Sequence, residues 1–474
     1  MPFRPFPPFP KDTCIVPNPV LELNRFGRQR RSMTHASEFL LTPPQRARWM
    51  RLDTAQLLKR FFFCERSLLI SEASWIPAIA PLEVKTGLAR HVWQSAQTAN
   101  SLRERIFELR FPSRLLENEE ADRALIDLFA AVRDSPSVPA FLLSVGRVLL
   151  PEVRDAYQCY LKASDLIADG PTHRFLTLAV AEKTEQIGAF ESWIATSQSQ
   201  ESEAWPEAAA WASEVAKRLS AVGGVGIESP ASSAASAPLP GAKPYTIPVQ
   251  PARDERFWPC RFYWPDIVDP SYPYGEGIQL QLRSAISHVN EVWAVDAGGV
   301  ILSAFADTLP WQWVQDSARW TYDESRHCRM GFERLIAWKL NPSAIPLGTY
   351  IYESATAAGT ADIPINLLGM LFFFETKNIR HKPVRARLFH SYGDTLSEHD
   401  MDFDWADETL HASYGKRWLK ELLSIRGEDS AAYDEVRKNC ETLVNNYVAT
   451  ATPKEITALK TAADQLLNKA KQRR

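Results

Sequence analysis

A chain of 474 residues is longer than one hydrophobic core usually grows, so two domains with connecting segments are expected. Its 54 basic and 57 acidic residues leave a formal charge of −3, which offers no general attraction to a phosphate backbone or an anionic membrane. This argues against nucleic acid and membrane as partners, without excluding the first. Six scattered cysteines form no C-x-x-C pair, so neither a disulfide framework nor a zinc cluster is suggested. No apolar run approaches the roughly 20 residues that span a bilayer, and the N-terminus MPFRPFPPFPKD lacks the apolar centre of a signal peptide. A soluble, cytoplasmic protein is the expectation.

Residues 1–50 are rich in Pro and Arg and read as an extended arm. From 51 to 221 apolar residues recur at three- and four-residue spacing, as in ALIDLFAAV, and predict a helical domain. Residues 222–270 begin as a Gly, Ala, Ser and Pro linker, then pass into the aromatic stretch FWPCRFYWPDIVDPSYPYGEG, expected to pack as irregular structure. Helical patterning returns over 271–449, and 450–474 reads as a C-terminal helix or tail. Strand signals are nearly absent, so the class is all-α.

Two D-E-x-x-H motifs carry the chemistry, Asp323-Glu324-Ser325-Arg326-His327 and Asp407-Glu408-Thr409-Leu410-His411. On a helix, Glu and His three residues apart share a face and can grip one metal. One such motif arises often as a surface pair. Here each is preceded at the same distance by another glutamate: 324 − 291 = 33 and 408 − 375 = 33. The midpoints fall near Thr308, beside Pro310, and near Tyr392, beside Gly393, both turn signals. Two helical hairpins folded there would bring Glu291, Glu324, His327, Glu375, Glu408 and His411 to one height. One Glu from each of two helices and one Glu-x-x-His from each of the other two is the di-iron or di-manganese arrangement of four-helix bundles. Carboxylates with two imidazoles suit iron or manganese better than zinc. Glu375 emerges from the apolar run INLLGMLFFFETKN, where an uncompensated carboxylate would be costly. Asp323 and Asp407 are placed to accept the N–H of a ligand histidine from behind. His288 reads as a neighbour of Glu291, Glu353 loses to Glu375 on spacing, and Trp320 and Tyr322 read as core packing.

At DESRHCRMGFERL and DETLHASYGKRWL the chain resembles the ferritin-like superfamily, and within it an uncharacterised branch related to the tRNA hydroxylases. The second motif matches that branch at His411, Gly415, Arg417, Trp418 and Leu419, and the similarity covers about residues 278–426. The resemblance implies a bundle holding two Fe ions, or Mn, with O2 as co-substrate. The N-terminal domain aligns by hand as a second, ligand-free copy, with Gln94, Ser95 and Thr98 against Asp323, Glu324 and His327, and Lys183 and Gln186 against Glu408 and His411. Two ferritin-like bundles in tandem are therefore expected. In that reading Glu65, Glu72, His91, Glu182 and Glu185 are structural.

The expected activity is an O2-activating oxidase or hydroxylase of an unidentified organic substrate, fed with electrons by an external reductase or ferredoxin. The alternative is a non-catalytic metal-binding or iron-handling protein. A homodimer is compatible with either.

Overall fold

Segments with apolar residues at helical spacing form helices through most of the chain, and the class is all-α. The computed structural model describes residues 48–118, 120–200, 204–228, 238–357 and 362–472. Nearly all of the expected N-terminal arm lies outside these residues.

In the first half, α1 (Arg51–Trp75) and α2 (Leu82–Leu109) form an antiparallel hairpin. Pro77 and Pro81, which lack an amide hydrogen, punctuate the turn between them. Then come α3 (Arg123–Ala131) and α4 (Val138–Leu143), which runs through a π-helical turn at Ser144–Leu149 into α5 (Leu150–Ala163). The long α6 (Gly170–Gln200) packs on α2 and α5, and α7 (Trp205–Ala221) closes this half.

Beyond the linker the chain lies pinned along the first half. The Lys243 amide donates to the Asp134 carbonyl at 2.9 Å, the Tyr245 hydroxyl to the Ser74 carbonyl at 2.7 Å, and the Ala252 amide to the Pro77 carbonyl at 2.8 Å. The aromatic passage buries Phe257, Phe262, Tyr263 and Trp264. It contributes β1 (Trp258–Pro259), which pairs in parallel with β2 (Pro346–Leu347).

After the short α8 (Pro265–Val268), α9 (Ile278–Asn290) and α10 (Val292–Phe305) form one arm, joined at Glu291. It folds back at Ala306–Pro310 into α11 (Trp311–Ala337). Next are α12 (Tyr350–Thr356), α13 (Ile363–Asn378), α14 (Lys382–Ser391) and the long α15 (Thr395–Ile425). The run leading from Glu375 to the second turn is not one helix, because a 3-10 turn at Ile379–His381 and Pro383 divide it into α13 and α14. The reversal into α15 falls at Tyr392–Asp394, with Gly393 at φ +71°, a conformation glycine adopts without strain. Arms α9–α10, α11, α13–α14 and α15 enclose one interior, flanked by α16 (Tyr433–Val448) and α17 (Pro453–Lys471).

Two glycines set the spacing of these helices. A Cβ on Gly331 of α11 would lie 2.4 Å from the Val289 amide nitrogen of α9, and one on Gly415 of α15 would lie 2.7 Å from the Phe372 side chain of α13. Each pair therefore approaches closely beside the motif it carries.

The halves pack together through their hairpins, α1 on α10 and α2 on α11. Trp93 stacks on Tyr322 with ring centroids 4.8 Å apart. Lys85 of α2 and Asp296 of α10 form a buried ion pair at 2.5 Å, and Arg253 reaches the other Asp296 oxygen at 2.6 Å. One apolar cluster continues through both halves. Among the described residues no helix is long and apolar enough to cross a membrane. Cys64, Cys260, Cys328 and Cys440 are free thiols, whereas Cys159 is disulfide-bonded, a pairing that the cysteine spacing did not suggest.

Candidate metal centre

The two motifs sit at mid-length on α11 and α15, and the turns expected at their hairpin midpoints bring the other two glutamates alongside. Glu291 enters from the α9–α10 junction and Glu375 from α13. All six sequence-derived candidates converge, in overlapping groups whose donor atoms lie within 4.8 Å of one another. One group is Glu324, Glu375, Glu408 and His411; the others combine Glu291, Glu324 and His327, then His327, Asp404 and Glu408, and then His288, Glu291 and Asp404. Glu324 and Glu408 thus belong to both ends of the cluster. Except for the half-buried Glu291, all six are buried.

Each histidine turns Nδ1 inward. His327 Nδ1 lies 3.3 Å from Glu291 and 3.7 Å from Glu324, and His411 Nδ1 lies 3.1 Å from Glu324 and 3.7 Å from Glu375. Each turns Nε2 outward, to the aspartate of the opposite motif: His327 to Asp407 at 3.3 Å and His411 to Asp323 at 3.4 Å. The brace is reciprocal, tying α11 to α15 across the centre. Arg319 and Arg326 bridge the same two aspartates from outside, Arg319 meeting Asp323 at 2.6 Å and Arg326 meeting Asp407 at 3.0 Å. A carboxylate that receives an Nε2 hydrogen fixes the ring and leaves the Nδ1 lone pair for an ion.

Three residues join the cluster that spacing did not single out as ligands. Asp404, one turn before Glu408 on α15, is fully buried with an oxygen 3.5 Å from His327 Nδ1. Its position on the same helical face as Glu408 and His411 was the available signal. Lys382, at the start of α14, places its ammonium on Asp404 and, at 2.7 Å, on Glu408. No periodicity announces it. His288 accepts at Nδ1 from Arg334 at 2.5 Å and faces Asp404 through Nε2 at 3.1 Å. A guanidinium only donates, so Nε2 carries the hydrogen and His288 supports Asp404 rather than a metal. Trp320 does more than pack: its indole N–H donates to Glu375 at 3.1 Å and its ring stacks on His411 at 5.4 Å. Glu353 lies apart, accepting from the Tyr447 hydroxyl.

The electrostatics are those of a carboxylate ring without enough cations. Burial pushes the Glu375 carboxyl up to about 7, reinforced by Glu324 and opposed by His411. Burial also pushes Glu324 up, but the imidazoles of His327 and His411 beside it outweigh this and hold that carboxyl well below its ordinary range. Burial lowers both histidines, and the surrounding carboxylates, led by Asp404 at His327 and Asp323 at His411, more than reverse this. Even so, four atoms aimed at the centre make no hydrogen bond: Glu291 Oε2, Glu324 Oε1, His327 Nδ1 and His411 Nδ1. Buried polar atoms are nearly always partnered, and leaving one unpartnered costs on the order of 1–3 kcal/mol. Convergent carboxylate oxygens and imidazole nitrogens are the donors a divalent cation would satisfy together.

The first half has no such focus. Among the described residues every group of potential metal donors lies between His288 and His411. At the level of the motifs α2 and α6 instead carry a neutral network: Lys183 donates to Ser95 at 2.8 Å and pairs with Glu65 at 2.5 Å, while Gln186 donates to Gln94 at 3.0 Å. Glu72 is buried nearby in the electrostatic sense, feeling both Lys183 and Glu65, and His91 stacks on Trp193 at 5.2 Å.

A cavity of about 330 Å3 opens onto the carboxylate floor from the side of α9, α13 and α14. No curated protein and no solved structure matches the chain. Residues 242–458, which contain the whole centre and the cavity, match the family model described as a protein of unknown function, DUF455.

Proposed function

We propose that the chain is a ferritin-like di-iron carboxylate protein, able to take Mn in place of Fe, that activates O2 to oxidise or hydroxylate an organic substrate. The observation that carries this reading is the convergence of four unpartnered ligand atoms between two cross-braced motifs. Glu291, His327 and Asp404 would hold one ion and Glu375 and His411 the other, and Glu324 and Glu408 belong to donor groups on both sides. Bound at these residues in the reduced state, two iron ions would supply the electrons that O2 activation needs, and an external reductase or ferredoxin would restore them.

The chain's own residues orient and shield. Asp323 and Asp407 hold the imidazole rings, Trp320 fixes Glu375, and buried apolar residues of α10 and α13 back the floor on the sides away from the cavity. The cavity favours an enzyme over an iron-handling protein, since a centre built only to store or sequester needs no aromatic-lined space beside it.

Tandem duplication is part of the same reading. Laid on α11 and α15, the Lys183–Ser95 and Gln186–Gln94 contacts of α6 and α2 fall where Glu408 meets Glu324 and His411 meets Asp323. An ammonium there takes the charge that an ion would take in the second half.

Metal analysis of the full chain after anaerobic loading with Fe(II) tests the proposal. Two ions per chain are expected, with both lost in Glu324→Ala and in Glu408→Ala. A wild-type protein that retains neither Fe nor Mn would sink it.

A further inference from the structure

The cavity above the centre holds donors that no protein atom satisfies. Arg283 on α9 is only 8% exposed, yet its Nη1 has no hydrogen-bond partner, while its Nε is held by both oxygens of Asp266 at 3.1 Å. Ser284, 2% exposed, also has an unpartnered hydroxyl, and both residues line the cavity. Arg385 of α14 lines the same space, makes no ion pair among the described residues, and lies over the ring of Tyr274 at 4.6 Å, with Arg283 at 5.1 Å from that ring. Two guanidiniums are thus gathered at one end by a single aromatic side chain.

Between this end and the carboxylates the wall is mixed: Trp293 and Phe374, in contact at 5.3 Å, form an apolar side with Tyr350 and Ile351, and Ser287 and Asn378 line it as well. Ser284 precedes Glu291, at the end of α9, by seven residues, so Arg283 and Ser284 stand about 10 Å from the floor. The local charge decides between anions. Lys377 lines the cavity from α13 and Lys382 is held by Asp404 and Glu408; at the Arg283 end itself Asp266 offsets Arg283, leaving Arg385 as the net cation there, which suits a singly charged carboxylate better than a phosphate dianion.

We infer that the substrate is a small monocarboxylate with an apolar body, held at its carboxylate by Arg283, Ser284 and Arg385 and presenting a carbon about 10 Å away to the metal centre. This inference rests on the di-metal reading for the chemistry, and on the cavity alone for the binding.

Calorimetric titration of the full chain, loaded with redox-silent Mn(II), with octanoate, octanamide and octyl phosphate tests it. Octanoate should bind, with octanamide and octyl phosphate each weaker by about tenfold or more. Arg283 holds Asp266, and its replacement could unfold the protein, so Arg385→Gln and Ser284→Ala carry the test. Each should weaken octanoate by roughly three- to tenfold with Mn stoichiometry unchanged. Equal affinity for octanamide, tighter octyl phosphate, or variants that bind octanoate like wild type would overturn the inference. A protein that takes two Mn ions but no octanoate fails this inference alone. One that takes no metal fails the di-metal reading, and octanoate binding that depends on Arg385 would still support the anion site.

Discussion

His327 and His411 each lean on an aspartate from the other helix, so neither motif is complete by itself. Asp323→Asn should therefore act on the ion bound by His411, and Asp407→Asn on the one bound by His327. Each should lower metal affinity roughly 10- to 100-fold, measured by competition with a chelator, with the helical signal unchanged. Loss confined to the aspartate's own motif would refute the cross-brace. The convergence of the six candidates was legible because a spacing of 33 residues repeated across two turn signals. Asp404 was legible only in part: it shares the helical face of Glu408 and His411, but the 33-residue spacing pointed past it to Glu408. Lys382 was invisible for another reason: its contact with Asp404 and Glu408 depends on how the chain turns at Ile379–His381, a tertiary fact.

At the scale of elements, helical periodicity and proline positions made the class and most helices readable, while the division of the third arm into α13 and α14 was not. The close contact of α9 with α11 hid in a single residue. Gly331→Ala would drive a methyl toward backbone atoms of Val289 and Ala285, at 2.4 and 2.5 Å, which cannot rotate away. The helices must separate, at a cost of about 1–3 kcal/mol, and Glu291 must withdraw from His327. We expect a lower melting temperature together with weakened metal binding. A variant that melts lower yet holds both ions with wild-type affinity would show that the spacing serves packing alone.

Across the whole molecule, one apolar cluster and the buried Lys85–Asp296–Arg253 group join the halves, so the chain should melt in one transition. Glu72 offers a lever on it from the half without metal donors. Its carboxyl is fully buried with both oxygens unpartnered, and burial pushes it up to about 8, with Lys183 opposing and Glu65 reinforcing. The folded protein then keeps a proton that the unfolded chain releases near its ordinary value of 4.5. Its stabilising share is complete below that value and lost as the pH rises to about 8, a difference of roughly 4 kcal/mol. Glu72→Gln should leave the melting temperature near pH 5 almost unchanged and raise it at pH 8 by roughly 4 °C. Calorimetry should record that rise in the same transition that metal shifts; parallel pH curves for variant and wild type would contradict it.

Lys382 gives the protein an order of events in time. Its ammonium rests on Asp404 and Glu408, so the folded carboxylate ring has a resident positive charge of its own. Under the di-metal reading, loading is an exchange in which an arriving ion would displace that tethered ammonium from carboxylates already in place.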